Sequence, residues 1–479
     1  MFKCSTTQRR NNTTLFVSSF VIRTFEFDSN FEFRHSNFRC PDRPFPPHRA
    51  RPIIAQMSDV PALLEDPRLA PTEHQGEAGT STGISTTPGT NDDGWTIPPP
   101  VTLADGSHIQ LFKDGEALHA AYQAIKAART RICLEVYIFA DDDTGNAFAD
   151  LLCEKARNGL AVYVIYDAFG SLGIANFYRE KSPMFAKMKR AGVRLREFNP
   201  TRPWECKFAW RPLNRDHRKL LIIDDEFAGL GGMNIGREWG GSWIIKKKKH
   251  HGELWRDNAI GISGPAVKHL IRSFANTWTY CVRGGRVRRA AYIAGIEEEA
   301  PFGLLASVPT VDSPLRPLFC ELLSRATKSI QLTMAYFAPD DDLVDELLKA
   351  ARRGVKVQLM LPSRSDVQIL LIAARSFYER LMDAGIEIYE RQAAILHAKS
   401  MTIDECVNVL GSTNLDHRSV EFNFELSAIV RSQEFGKQMH DLFASDVRYS
   451  RRLDREVWRR RPLADRFVQW AVIRARYLL

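Results

Sequence analysis

The chain repeats itself, and that repeat restricts its possible folds more than any other feature of the 479 residues. The first copy runs through Arg131-Ile-Cys-Leu-Glu-Val-Tyr-Ile-Phe139 into Asp141-Asp-Asp143. A helical pattern through Leu151 and Ala156 follows, then Gly159 and the apolar run Ala161 to Tyr166. The second runs through Ser329-Ile-Gln-Leu-Thr-Met-Ala-Tyr-Phe337 into Asp340-Asp-Asp342, with a helical pattern through Leu347 and Leu348, then Gly354 and Val355 to Met360. Each copy reads strand, helix, strand. Short β-branched runs joined by amphipathic helices with Gly at the helix end predict an α/β chain whose sheets are mostly parallel and buried on both faces. A further pair, Ala191 to Phe198 and Ala384 to Glu390, extends the match, so two similar halves are expected to pack about a pseudo-twofold axis. The Asp runs after each first strand are read as helix N-terminal caps rather than a metal site.

The polar residues repeat as well. The first half carries His217-Arg-Lys219, then four apolar residues and Asp224, followed by Gly231-Gly-Met-Asn234. The second carries His397-Ala-Lys399, four residues and Asp404, followed by Gly411-Ser-Thr-Asn414. Residues i and i+2 share a strand face, so each His and Lys point together out of the sheet. Two such motifs at equivalent repeat positions have a chance probability of about a thousandth or less, which favours chemistry over a solvated strand face. Asp224 and Asp404, at strand ends, read as structural, holding the Lys or the loop. Glu425 opens an apolar strand in the second half and Asp257 opens one in the first. These two carboxylates are the candidates for orienting His217 and His397, because a carboxylate on one ring nitrogen fixes the tautomer and frees the other. A twelve-residue insertion in the first half contains Lys246 to Lys249, a solvated loop or an anionic-lipid contact.

The doubled motif resembles the phospholipase D superfamily. Within it, Leu134 to Phe139, Gly232 to Gly236, Trp255-Arg-Asp257, Gly264 to Val267, Asn414 to Ser419 and Asn423-Phe-Glu425 resemble bacterial cardiolipin synthases of a short type without N-terminal transmembrane helices. The likeness spans roughly residues 108 to 450. It implies two phospholipase D-like α/β halves with the active site at their interface, and a catalytic set of His217, Lys219, Asp224, His397, Lys399 and Asp404. It further implies phosphate contacts from Asn234 and Asn414, and no metal or other cofactor. His217 would attack phosphorus to form a phosphohistidine while His397 protonates the leaving alcohol. The implied reaction moves a phosphatidyl group from phosphatidylglycerol to the hydroxyl of a second phospholipid. Hydrolysis to phosphatidic acid, and a phosphodiesterase or nuclease of the same superfamily, use the same residues. The implied partners are phospholipids and an anionic membrane surface, with the enzyme peripheral on the cytoplasmic face of a bacterial inner membrane.

Charge supports that order of preference. Of the formal +9, residues 1–56 hold nine Lys/Arg against four Asp/Glu, and residues 451–479 hold nine against three, leaving the stretch between them near neutral. A continuous basic groove for nucleic acid is therefore not expected. No stretch approaches the ~20 apolar residues of a spanning helix. Five regions follow: a basic leader (1–56), an acidic Pro/Ser/Thr/Gly-rich linker (57–107), the two halves (108–300 and 301–450), and a basic amphipathic tail (451–479) suited either to lying in a membrane interface or to docking on the body.

Overall fold

The computed structural model describes residues 95–172, 182–206, 211–244, 255–285, 291–296, 299–309, 313–392 and 394–474, all within one compact unit, Asp59–Leu479. The leader, most of the linker and the Lys246 to Lys249 tract lie outside the described residues.

The strands are β1 (Val101–Thr102), β2 (His108–Lys113), β3 (Arg131–Val136), β4 (Ala161–Asp167), β5 (Arg194–Phe198), β6 (Arg215–Asp216), β7 (Leu220–Ile223), β8 (Phe227–Gly231), β9 (Trp255–Arg256) and β10 (Asn258–Ser263). They continue with β11 (Tyr292–Ala294), β12 (Phe302–Ser307), β13 (Ser329–Met334), β14 (Phe337–Ala338), β15 (Lys356–Pro362), β16 (Glu387–Arg391), β17 (Ile395–Leu396), β18 (Lys399–Ile403), β19 (Val407–Gly411), β20 (Leu415–Asp416), β21 (Asn423–Arg431) and β22 (Ser450–Arg452). One sheet has the order β1-β2-β10-β8-β7-β3-β4-β5, and the other runs β11-β12-β21-β19-β18-β13-β15-β16-β22. Within them, β2-β10-β8-β7-β3-β4-β5 and β12-β21-β19-β18-β13-β15-β16 are one topology traced twice, as the sequence repeat requires.

The α/β expectation holds, but the sheets are mixed rather than mostly parallel. Along these two orders β3-β4-β5 and β13-β15-β16 run parallel; the neighbours β7, β8 and β10, and likewise β18, β19 and β21, are antiparallel. The cause is local. Asp224-Asp225 and Asp404-Glu405 all have φ between 51 and 61°, and Glu226 and Cys406 donate back to the carbonyls of Ile223 and Ile403. Two consecutive residues at positive φ make the tight turn whose twist suits a hairpin, so the apolar run after each His-x-Lys folds back on itself instead of crossing over through a helix.

Both faces of each sheet are covered, which is why the strands read as unbroken apolar runs. Helices α1 (Gly115–Ala127), α2 (Asp143–Arg157), α3 (Ala168–Leu172), α4 (Pro183–Arg190) and α5 (Arg237–Ile244) belong to the first half. Leu118, Phe148, Met184 and Trp239 from four of them share one apolar cluster with Leu221 and Ile223 of β7. Helices α7 (Leu315–Arg325), α8 (Asp341–Arg352) and α9 (Gln368–Asp383) do the same over Met401 and Ile403 of β18. The alternate residues of these sheets, such as Leu220, Ile222, Leu304, Leu426 and Ala428, share a single core with α6 (Val267–Val282) and α11 (Gln433–Val447) that joins the halves. Asp142 and Asp340 cap α2 and α8 by accepting from Gly145 and Leu343 amides, as the Asp runs suggested. Packing into the core takes in residues that the composition had placed in the linker. Trp95, Val101 and Leu103 are buried in the shared core, β1 pairs with β2, and the Pro-rich stretch before it is tied down through a carbonyl, Pro98 accepting from Gln110 Nε2 at 2.7 Å.

Asp224 and Asp404 hold loops, not lysines. Asp224 accepts from the amides of Arg129, Thr130 and Arg131 and from the Thr130 hydroxyl. Asp404 accepts from the amides of Thr327, Lys328 and Ser329 and the Thr327 hydroxyl. Burial would raise both carboxyls, and these donors outweigh it and hold them below the ordinary range. Asp224→Ala or Asp404→Ala is expected to cost about 2–3 kcal/mol, the scale for donors left by a charged acceptor. A carboxyl with a depressed folded pKa stabilises above its unfolded value of ~4 and stops doing so as pH falls through the folded value. The urea midpoints of wild type and variant should therefore differ most near neutrality and converge in acid.

Candidate active site

Each histidine is delivered by a strand that leaves its own sheet. β6 pairs in parallel with the start of β21, with Arg215 opposite Asn423 and Asp216 opposite Phe424, and the next residue, His217, donates its amide to the Phe424 carbonyl at 2.9 Å. The mirror contact joins β17 to β9, with Leu396 opposite Arg256, and His397 donates its amide to the Arg256 carbonyl at 2.8 Å. The residue after each acceptor is a carboxylate: Glu425 beside His217, Asp257 beside His397. His217 Nδ1 lies 3.0 and 3.1 Å from the Glu425 oxygens, and His397 Nδ1 lies 2.6 Å from Asp257 Oδ2. The repeat order pairs Asp257 with His217 and Glu425 with His397. In the folded chain the partners are exchanged, because the crossing strands put each carboxylate against the other half's histidine. A carboxylate at Nδ1 accepts a hydrogen bond from the N–H and so holds the ring proton there, leaving Nε2 as the unprotonated nitrogen of a neutral ring.

The G-(G/S)-x-N segment completes both pairs. A Cβ on Gly232 would stand 2.3 Å from Asp257 Oδ1, so only glycine leaves room for that carboxylate. At the matching place the Ser412 hydroxyl donates to Glu425, and Asn423 Nδ2 adds a bond at 3.2 Å. Asn234 accepts the Ile138 amide through Oδ1, which leaves its NH2 for other acceptors. Lys219 and Lys399 share a face with their histidines as the i, i+2 spacing requires, and each donates to its own histidine's carbonyl. Aromatic rings brace the imidazoles: Tyr137 edge-on to His217 at 5.1 Å, Trp255 and Trp239 against His397 at 4.9 and 5.5 Å.

Burial dominates the electrostatics. It pushes His217 down to about 4 against the pull of Glu425, and His397 well below its usual range, with Lys399 adding to the effect. Burial likewise lowers Lys219 to about 7 and Lys399 to about 8. The two carboxylates differ. Asp257 is pushed up to about 6 by burial, despite Lys399 and Arg256, whereas in Glu425 the effect of burial is exceeded by His217, Lys219 and Ser412, which keep it low. A phosphate bound among these groups would raise both imidazoles and both lysines, since a nearby anion favours their charged forms.

A cavity of about 410 Å³ opens in front of both imidazoles. His217, His397, Asn234 and Asn414 line it, with Asn414 Oδ1 buried and unpartnered among the described residues. The lysines stand behind this lining. Tyr137, Tyr336, Asp366 and Arg418 also face the cavity, and sequence reasoning missed them. Tyr137 and Tyr336 lie inside the repeated segments and were visible there; Arg418 sits inside a quoted motif. Tyr336 donates to Asp366 at 2.8 Å, and Arg418 forms no ion pair with the described residues. Asp224 and Asp404, at the far ends of β7 and β18, are roughly 17 Å of strand from the lysines and do not line the cavity. Among the described residues no three potential metal ligands gather.

Two imidazoles, each held by a buried carboxylate of the opposite half and facing one cavity, define an enzyme of the phospholipase D type. Residues 122–278 and 319–447 match the family described as cardiolipin synthase, PLD-like domain, and the chain belongs to that family of phosphatidyltransferases. It is 33% identical to a cardiolipin synthase of Geobacillus kaustophilus over 376 residues, 77% of this chain and 72% of the relative. It is 31% identical to the probable cardiolipin synthase YwiE of Bacillus subtilis over 364 residues, 75% and 70% of the two chains. The crystal structure of a phosphatidylserine synthase from Haemophilus influenzae shares the fold at TM-score 0.55 and 12% identity, over 80% of this chain and 97% of that one.

The exchange of partners is directly measurable. Glu425→Gln is expected to shift the imidazole nitrogen resonances of His217 and leave those of His397 in place, and Asp257→Asn the reverse. Each variant should also lose about 10²- to 10⁴-fold in turnover, the range for a histidine deprived of its orienting carboxylate. A shift at the same-half histidine would contradict the crossed pairing.

Proposed function

We propose that the protein transfers a phosphatidyl group from phosphatidylglycerol to the hydroxyl of a second phospholipid, forming cardiolipin through a phosphohistidine at His217. The observation that carries this reading is the pair of Nε2 atoms, each backed by a carboxylate on Nδ1, facing one cavity with two buried lysines behind.

With the anionic phosphodiester bound, His397 carries a proton on each ring nitrogen; the first step then forms a bond from the neutral His217 Nε2 to phosphorus and breaks the bond from phosphorus to the glycerol oxygen, which takes the Nε2 proton of His397. In the second, His397 takes the proton from the acceptor hydroxyl, whose oxygen attacks phosphorus as the P–N bond breaks. Glycerol and cardiolipin leave, and both rings return to their starting states. The division of labour follows the carboxylates. Glu425, held as an anion by Ser412 and Asn423, supports the positive charge that develops on a nucleophilic ring. Asp257, with fewer donors and beside Lys399, suits a ring that gains and gives a proton. Asn234 and Asn414 reach the nonbridging oxygens, and Lys219 and Lys399 supply charge from behind. The lipid substrates imply that the enzyme works at an anionic membrane surface, on the cytoplasmic face of a bacterial inner membrane.

Purified protein incubated with phosphatidylglycerol vesicles in chelator is expected to give cardiolipin and glycerol, and His217→Ala to give neither. Phosphatidic acid as the main product would make the enzyme a hydrolase, DNA cleavage without lipid turnover a nuclease, and loss of turnover in chelator would end the metal-free route. Among the described residues, Arg418 is the Lys or Arg that lines the cavity, and it matches the phosphate that a phospholipid acceptor carries and water lacks. Arg418→Ala is therefore expected to raise the KM for the acceptor about tenfold or more, the scale of a lost charge-assisted contact, and to shift product from cardiolipin toward phosphatidic acid. Arg418→Lys should restore part of it.

A further inference from the structure

The C-terminal segment docks on the body with the less apolar of its two faces. Helix α12 (Arg455–Arg459) and helix α13 (Leu463–Arg474) follow β22. Trp458 packs on Tyr378 of α9. Along α13, Gln469 is buried, Val472 packs beside Leu370 and Val367, and Ile473 joins the second core. The outer face carries Leu463, Phe467 and Trp470, 78, 67 and 51% exposed, with Val468 and the α12 residue Val457 also open. Positions 463, 467, 470 and 474 fall on one stripe of a helix. The Phe467 and Trp470 rings stack at 5.8 Å, and the Arg474 guanidinium lies 4.4 Å over Trp470. Solvent alone gives no reason for a docked helix to present its large apolar side chains outward.

The arginines divide in the same way. Arg455 and Arg459 pair with Asp383, and Arg461 with Glu379, so these three serve the joint with α9. Arg460, Arg466 and Arg474 are exposed and form no ion pair with the described residues. The stripe also lies close to the chemistry. Ile369 and Leu370, at the start of α9, line the catalytic cavity together with Val367, and Ile369 is 42% exposed, marking the opening. Val472 packs against that same cluster, which includes Tyr336.

We propose that α13, with the end of α12, is a bilayer-docking surface. Leu463, Phe467 and Trp470 enter the acyl boundary of an anionic membrane, Arg460, Arg466 and Arg474 lie among its headgroup phosphates, and the α9 joint sets the cavity opening at the membrane plane. An apolar stripe flanked by unpaired guanidinium groups fits that surface in both chemistry and charge. The proposal rests on the reading of the cavity as a phospholipid site, and it explains how a headgroup would reach His217 without leaving the interface.

The test compares the wild-type full chain with Phe467→Ser/Trp470→Ser and with Arg460→Gln/Arg466→Gln. All the substituted residues are exposed and outside the catalytic set, so melting temperatures should match. Sedimentation with vesicles of phosphatidylglycerol and phosphatidylcholine is expected to show wild-type binding that falls with added salt. The aromatic variant should lose about a hundredfold in affinity, roughly tenfold for each large side chain kept from the acyl region, and the arginine variant should lose its salt dependence. Both should lose turnover on vesicles yet turn over dihexanoyl phosphatidylglycerol, below its micellar threshold, at the wild-type rate. Unchanged vesicle binding in the aromatic variant overturns the docking surface, as does a wild-type dimer that this variant dissolves, since the stripe then covers a second copy. Failure of the wild type to turn over the short-chain lipid overturns the reaction assigned to the cavity, while the vesicle-binding result stands separately.

Discussion

The site depends on two short crossings of the chain. β6 and β17 each abandon their own sheet for a few residues and pair with a strand of the other half, and only through this does a carboxylate meet Nδ1 of either histidine. Separate halves would each carry a histidine and a carboxylate that do not face each other. The crossings are secured by buried ion pairs. Arg256 makes a two-pronged contact with Asp446 at 2.9 and 2.7 Å, and Asp167 accepts the Asp216 amide at 2.8 Å while facing Arg215 at 3.4 Å. Buried pairs of this kind add little net stability over apolar packing, but removing one partner strands a charge, typically at about 3–5 kcal/mol. Their effect here is to fix register: a strand held at both backbone and side chain cannot slip by one residue and turn its histidine to the wrong face.

Much of this was legible in the sequence. The repeat gave two α/β halves, and the His-x-Lys spacing gave the face from which the chemistry acts. Comparison of the halves found Asp257 and Glu425, although nothing in their own half pointed to them. The exchange of their partners was hidden because a repeat aligns each carboxylate with the histidine of its own copy, whereas pairing is decided by which strands cross in space. The antiparallel hairpins were hidden for a smaller reason. Asp224-Asp225 and Asp404-Glu405 read as polar strand ends, and their positive φ, which makes them turns, is a backbone property that two acidic side chains do not announce. The partners of both aspartates are loop amides and a threonine hydroxyl rather than lysine. Burial of Trp95 was missed because composition averages over a Pro-rich stretch in which a few apolar residues do the packing.

A symmetric frame does not make a symmetric site, and the sequence marks where symmetry ends. Around His217 the first half buries Glu135, Asp216 and Arg218; the matching positions of the second half are Thr333, Leu396 and Ala398. Arg218 bridges the halves, donating through Nε to the Glu425 carbonyl at 3.2 Å, through Nη1 to Thr277 at 2.7 Å and through Nη2 to the Ser307 carbonyl. It thereby braces from behind the strand that presents Glu425 to His217. Around His397 the bridge is the Arg256–Asp446 pair rather than a counterpart of Arg218, and rings close the site: Trp239, Trp255 and Tyr336 surround the imidazole. A ring that must hold a covalent bond to phosphorus gains from a carboxylate that cannot shift. A ring that passes a proton back and forth gains from an enclosure that keeps water off it between the two transfers. The duplicated fold supplies two equivalent places, and the residues that differ between the copies make them unequal in the sense the proposed two-step reaction needs.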